Sequence, residues 1–147
     1  MGSSRWLNIQ RYNKTNNNSL NCIKKLKKEG YRIVATSPHI NDCNLHEFEL
    51  SKGKTALFFG TEMEGLTDVV LQEADEYLKI PMYGFTESFN LSVAAAICLQ
   101  HLSHQLRQQN IDWQLDKEAK ERTLLNWLRY SVDRSEIIED DFLRNRS

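Results

Sequence analysis

The chain has 147 residues, of which 40% are hydrophobic and 27% charged, enough apolar surface for one compact domain and too little length for two full ones. Nineteen basic and 20 acidic side chains leave a net charge of -1, and no apolar run approaches the ~20 residues needed to span a bilayer. Cys22, Cys43 and Cys98 form no CxxC pair, which argues against a disulfide framework or a structural zinc site; residues 1–7 lack the apolar centre of a secretory signal, so a reducing cytoplasm is expected.

The small net charge conceals an asymmetry. Up to Lys54 there are ten Lys and Arg against four Asp and Glu, and beyond it nine against sixteen. A basic first third suits phosphate contacts, although a solvated helix face explains it as simply. Residues 5–18 read as irregular or short-stranded. The asparagine run at 16–18, followed by Ser19, is a loop ending in a helix cap. Leu20, Ile23 and Leu26 then recur at helical spacing, with Lys24, Lys25, Lys27 and Lys28 on the polar side and Gly30 as the stop. Residues 31–35 are strand-like and are cut by Ser37 and Pro38.

Residues 54–59 are apolar after Thr55, the pattern of a parallel strand buried on both faces. A loop at 60–65 leads to Thr67, a cap for a short helix to about Ala74. Residues 76–80 form the next strand, which Pro81 ends. A turn-rich stretch opens a long helix from Asn90 to about Arg107. Asp116 caps a helix to about Ser131 with Leu124, Leu125 and Leu128 as its apolar stripe. Residues 133–136 resemble a capping arrangement for a last helix carrying Ile137, Ile138, Phe142 and Leu143. This alternation predicts an α/β domain with a parallel sheet flanked by helices, followed by C-terminal helices.

Two segments carry chemistry. The first, residues 59–66, follows a buried strand directly. Gly60 and Gly65 permit tight turns and close backbone approach, and Glu62 lies just past the carboxyl end of the strand, where open α/β sheets bind ligands. It lacks the third glycine of a Rossmann fingerprint and the Lys-Ser/Thr pair of a phosphate loop. The second, residues 80–96, joins a strand, a polar turn and a helix start rich in small residues. Ser88, Asn90 and Ser92 can each cap that helix, and Ala94, Ala95 and Ala96 allow close packing. Singly, each segment reads equally well as an ordinary loop and an ordinary capped helix.

Taken together at this separation, the two segments resemble the second and third motifs of the SpoU family of SPOUT methyltransferases. The resemblance runs from about Gly2 to Leu102 and is densest at 56–66 and 80–97. Within the family, residues 2–6, 31–36 and 80–93 look most like the tRNA guanosine 2′-O-methyltransferases of the D-loop, while ribosomal-RNA relatives share the same motifs. The resemblance implies residues 1–108 as a SpoU domain, with residues 109–147 as a helical extension. It also implies a deep trefoil knot in the carboxyl half of the domain, a rare exception to ordinary chain connections.

The same resemblance implies S-adenosylmethionine as methyl donor, held in a bent shape with contacts at Thr36, Gly60, Ile80 and Phe89. It places Glu62, Ser88 and Asn90 around the reaction centre, with Glu62 orienting loop groups and Ser88 and Asn90 positioning the hydroxyl or a catalytic side chain. The reaction is methyl transfer to a ribose 2′-hydroxyl, a weak nucleophile that must lose its proton and be aligned in line with methyl and sulfur. RNA is the implied partner, tRNA favoured over rRNA, and a homodimer is expected, with the helix from Asn90 and the tail helices as interface candidates.

One departure stands out. The family's first motif, Asn-x-x-x-x-x-Arg, is absent from this sequence. Residues 2–6 resemble sequence that lies downstream of it, so the chain is expected to begin partway through the domain and to be inactive alone. Arg5 or Arg11 are the substitutes in reach, although a guanidinium is an awkward base. The alternative reading is a non-catalytic RNA- or cofactor-binding module that keeps the scaffold. His101 and His104, three apart, have no partner at metal-ligand spacing and are expected to face solvent, so no metal is expected. Trp113 and Trp127 fit a core or interface better than base stacking.

Overall fold

The computed structural model describes residues 6–38, 40 and 42–145. It divides into two compact units, Tyr12–Ile111 and a second drawn from Met1–Arg11 and Asp112–Ser147.

In the larger unit, α1 (Asn18–Lys28) buries Ile23 completely, with Leu26 packed beside it. Gly30, at φ +81°, lets its own amide and that of Tyr31 donate to the Lys27 and Leu26 carbonyls, closing the helix end. The start of α1 departs from expectation. Asn17 holds the capping position at φ -110°, ψ 36°, but its side chain caps nothing. The Thr15 amide donates instead to Asn18 Oδ1 at 3.1 Å, so the asparagine run orders the preceding turn.

Four strands follow: β1 (Arg32–Thr36), β2 (Cys43–Asn44), β3 (Thr55–Phe58) and β4 (Glu76–Lys79). They pair in the order β2-β4-β1-β3, all parallel, as the alternation of strands and helices predicted. Central β1 buries Ile33, Val34 and Ala35 fully. Because successive strand residues face opposite ways, β1 feeds two cores. Ile33 joins Ile23 of α1 and Val70 of α2 (Asp68–Glu73) on one side. Val34 joins Leu45, Phe48, Leu78, Cys98 and Leu102 on the other, under α3 (Leu91–Gln108).

Two expectations need correction. Residues 54–59 read as a strand buried on both faces, yet every residue of β3 is only half-buried. It is the last strand in the sheet order and has one strand neighbour instead of two. The segment between β1 and β3, which carried no periodic signal, contains β2 and two short 3-10 turns, Leu45–Glu47 and Leu50–Lys52. The first turn supplies Leu45, and Phe48 follows directly after it, each 1% exposed. Arg32 lies over the Phe48 ring, 5.2 Å from its centroid, and pairs with Glu76.

The second unit contains α4 (Lys117–Ser131) and α5 (Ser135–Arg144). Asp116 caps α4 as expected, accepting from the Ala119 amide at 2.7 Å. Residues 133–136 do not act as a cap for α5. Arg134 takes the left-handed conformation at φ 59°, and the Ser135 hydroxyl turns back to donate to the Arg129 carbonyl. Neither helix has a buried residue, and Leu124, Leu125 and Leu128 stay about half exposed. Trp127 packs edge-on against Trp6 at 5.4 Å. Arg129 grips Glu139 with two nitrogens, and this hydrogen bonding holds the Glu139 carboxyl below its usual range. No described helix is long and apolar enough to cross a membrane.

Candidate active site

The carboxyl ends of β1, β3 and β4 open into one cleft of about 810 Å³. Parallel strands make this inevitable: side chains and loops leaving the same end of neighbouring strands converge. Thr36 and Ser37 come from the end of β1, residues 59–66 from the loop after β3, Ile80 and Met82 from the exit of β4, and residues 87–91 from the approach to α3.

Thr36 fastens the wall of this cleft. Its hydroxyl donates to the Phe58 carbonyl at 2.8 Å, and the neighbouring Ser37 amide donates to the Leu78 carbonyl at 3.0 Å. The three strand ends are thereby tied together. The β3 loop is equally constrained. Thr61 and Gly65 exchange amide-to-carbonyl bonds of 2.9 and 3.0 Å, and Thr61 Oγ1 accepts from the Glu64 amide. This closes the loop onto Gly60, where a Cβ would stand 2.1 Å from the Gly65 carbonyl carbon. Only glycine fits that position.

The fold joins the two sequence segments through one side chain. Asn90 caps α3, its Oδ1 accepting from the Ser92 amide at 2.9 Å. Its Nδ2 donates to Glu62 Oε1 at 2.5 Å. Both ends of the amide are thus committed, one to the helix and one to the opposite wall. Ser88 and Phe89 lie on the same rim, Phe89 39% exposed. Of the three alanines, Ala94 and Ala95 are half-buried, Ala94 lines the cleft, and Ala96 is exposed.

All seven residues singled out from the sequence therefore line one cleft: Thr36, Gly60, Glu62, Ile80, Ser88, Phe89 and Asn90. Sequence reasoning passed over Glu64 and Glu87, which line it too, although both lie inside the two motif segments. Among the described residues the lining contains three carboxylates, Glu62, Glu64 and Glu87, and no Lys, Arg or His. Phe59, Leu78, Ile80 and Met82 give it an apolar floor, and Phe89 adds an apolar side chain at the rim.

Residues 1–100 match the model of the SpoU rRNA Methylase family. The chain belongs to that family. A tRNA (guanosine(18)-2′-O)-methyltransferase of Borreliella burgdorferi is 43% identical over 140 residues, spanning 95% of this chain and 62% of that protein. The protein of the same name from Thermus thermophilus is 32% identical over 130 residues, spanning 87% of this chain and 64% of its own length. Among solved structures, the A. aeolicus TrmH/SpoU tRNA modifying enzyme matches with TM-score 0.62 at 25% identity, over 78% of this chain and 59% of that one. The SpoU methyltransferase AviRb from Streptomyces viridochromogenes, in complex with AdoMet, matches with TM-score 0.55 at 25% identity, over 65% and 38% of the two chains. This SpoU chain thus spans about three fifths of the length of the curated relatives it matches.

Other described residues singled out from the sequence are not part of the lining of this SpoU cleft. His104 is exposed as expected, but His101 is half-buried and meets His46 edge-on at 5.1 Å, because its face of α3 packs against the turn at Leu45–Glu47. Its Nε2 is buried without a hydrogen-bond partner. Among the described residues no group of three His, Cys, Asp or Glu side chains is placed to hold a metal ion. Arg11 is exposed and belongs to the smaller unit, and Arg5 lies outside the described residues. On α1, Lys27 pairs with Glu73 at 3.0 Å and Asp75 at 3.7 Å, whereas Lys24 and Lys28 are exposed and outside every ion pair among the described residues.

Proposed function

We propose that the cleft binds S-adenosylmethionine and that the protein acts in 2′-O-methylation of tRNA ribose, at a D-loop guanosine. The observation that carries this is the convergence of Gly60, Ile80 and Phe89 with the Glu62–Asn90 pair on one cleft at the strand ends. The chemistry of the lining fits such a cofactor. An apolar floor suits the adenine, backbone groups at Gly60 and Ile80 can read its edge, and carboxylates favour a positive centre. When bound, the cofactor supplies an electrophilic methyl group.

The chain's own residues have distinct tasks in this reading. Glu62, held by Asn90, orients the β3 loop through its remaining acceptor capacity. Ser88 offers a hydroxyl to the incoming ribose, and Asn90 keeps the α3 end and the opposite wall in register, which is what in-line transfer demands. Lys24 and Lys28 on α1 supply sequence-independent contacts to RNA phosphates. The insertion of β4 between β1 and β2 supports a knotted path of the trefoil kind in this half of the domain. Residues 1–108 act as the methyltransferase domain and 109–147 as a helical extension. A homodimer forms through α3, whose Val93 and Leu99 are 45% and 60% exposed. A tRNA substrate places the protein in the cytoplasm.

A second reading, a non-catalytic RNA- or cofactor-binding module that keeps the scaffold, is favoured by the lack of a cation among the described residues of the lining. Calorimetry with S-adenosylmethionine, followed by methyl transfer assays on tRNA and rRNA, separates the two. Cofactor binding with 2′-O-methylation of tRNA supports the first reading. Binding without transfer supports the module, preferential methylation of rRNA redirects the substrate, and no cofactor binding overturns both. In the same assays, reversing Lys24 and Lys28 to Glu is expected to weaken tRNA binding at low salt. Unchanged affinity removes α1 from the RNA surface.

A further inference from the structure

The cleft carries more negative charge than holding a cofactor requires. Glu62 is engaged by a neutral amide and joins none of the ion pairs among the described residues. Glu64 gives its backbone amide to Thr61 Oγ1, but its carboxylate joins none of the ion pairs among the described residues. Glu87, next to Ser88, is likewise outside every ion pair. Many acidic side chains of this chain stand outside the ion pairs of the described residues, so what sets Glu64 and Glu87 apart is their shared place in the cleft lining. Leaving two carboxylates on opposite loops of one apolar-floored cleft without a counter-ion therefore has an electrostatic consequence. They act on whatever occupies the cleft between their loops, with a strength that added salt screens.

We infer that Glu64 and Glu87 make the cleft discriminate between the two charge states of its ligand, holding the sulfonium methyl donor and rejecting the neutral thioether left after transfer. This rests on the methyltransferase reading above and extends it to regulation of the same site. In the transfer, the ribose oxygen forms a bond to the methyl carbon, the carbon–sulfur bond breaks, and its electron pair remains on sulfur. The hydroxyl proton leaves to solvent. Donor and product then have nearly the same shape and differ by one unit of positive charge at sulfur. Apolar contacts and backbone dipoles separate them less strongly than two uncompensated carboxylates do. The same pair disfavours phosphate entry into the cleft, so the RNA backbone is kept to its rim.

The test compares calorimetric affinities for S-adenosylmethionine and S-adenosylhomocysteine at pH 8, where histidine is neutral. The unsubstituted chain is compared with E64Q, E87Q and the double variant. Both positions are exposed, so folding is expected to survive, and thermal melts check it. The unsubstituted chain is expected to prefer the sulfonium about tenfold at low salt, with the preference shrinking as salt screens the carboxylates. In the double variant the ratio should fall toward one through weaker sulfonium binding, with thioether affinity nearly unchanged. A ratio indifferent to both salt and the double substitution overturns the inference while leaving cofactor binding intact. Failure of the unsubstituted chain to bind either compound overturns the cofactor reading itself, and this inference with it.

Discussion

At the scale of single residues, the cleft depends on a backbone contact that no other side chain tolerates. Replacing Gly60 by Ala puts a methyl carbon 2.1 Å from the Gly65 carbonyl carbon, so the Thr61–Gly65 bridge must open. The expected cost is at least about 1–3 kcal/mol, as for an overpacked site, and weakened cofactor binding should accompany it. A melt that matches the unsubstituted chain would show that the loop closes differently. Cys98 makes a second residue-scale prediction. Burial on the core-facing side of α3 pushes its thiol pKa up. The folded chain therefore keeps that proton to higher pH than the unfolded chain does. The associated stabilisation is complete below the ordinary thiol range near pH 8.5 and is lost as pH rises through and above it. Denaturant midpoints measured from pH 7 to 10 should decline, and Cys98→Ala should flatten that decline, although the smaller side chain lowers stability throughout.

Single residues also show what sequence could and could not disclose. Ile23 and Leu26 were legible because helical periodicity announces a buried face. Leu45 and Phe48 were not, because they sit in and just after a short turn without a period, and their burial is created by α3 arriving from more than 40 positions later. Glu62 and Asn90 were legible as motif members. Their hydrogen bond was not, since a contact across 28 positions leaves no local signature. Glu64 and Glu87 were passed over because a lone acidic residue in a loop is ordinarily solvated.

At the scale of elements, α3 and the β3 loop share one fastening. Asn90→Asp keeps the Oδ acceptor that caps α3 but replaces the amide donor with an oxygen facing Glu62. Helix content should change little, since Asp is as good a cap as Asn. Cofactor affinity should fall because the loop loses its anchor and gains a like charge. Asn90→Ala should lose both, adding about 1 kcal/mol of cap energy to the damage. Equal loss of helicity in the two variants would mean that the Glu62 bond, and not the cap, holds the helix start. The strand assignments show a related limit. The apolar residues of β3 identified a strand correctly, but burial on two faces is a property of position within the sheet, and position is decided by how β4 and β1 pair.

At the scale of the molecule, the ten buried hydrophobic residues among the described ones all lie within Tyr12–Ile111, while α4 and α5 bury none. All three tryptophans, Trp6, Trp113 and Trp127, lie in the other unit. Tryptophan emission thus reports the unit without a buried core, and far-ultraviolet circular dichroism reports mostly the one with it. In urea, the emission change should come at lower concentration than the loss of ellipticity, a departure from two-state behaviour. Coincident transitions would show that the two units unfold as one. The proposed dimer belongs to this scale as well. Light scattering at micromolar concentration should give twice the mass of 17.2 kDa, and Leu99→Glu on α3 should reduce it. A monomer at that concentration rejects the α3 interface.

Every pairing in the sheet is parallel, so no strand can be laid beside its neighbour by a tight hairpin, and each must wait for a returning segment. Loop closures of that length make assembly slow compared with helix formation. The cleft, which needs the ends of β1, β3 and β4 at once, is consequently expected to mature late during refolding. After dilution from denaturant, competence to capture cofactor should lag behind the recovery of helical signal, and added ligand should not speed the early phase.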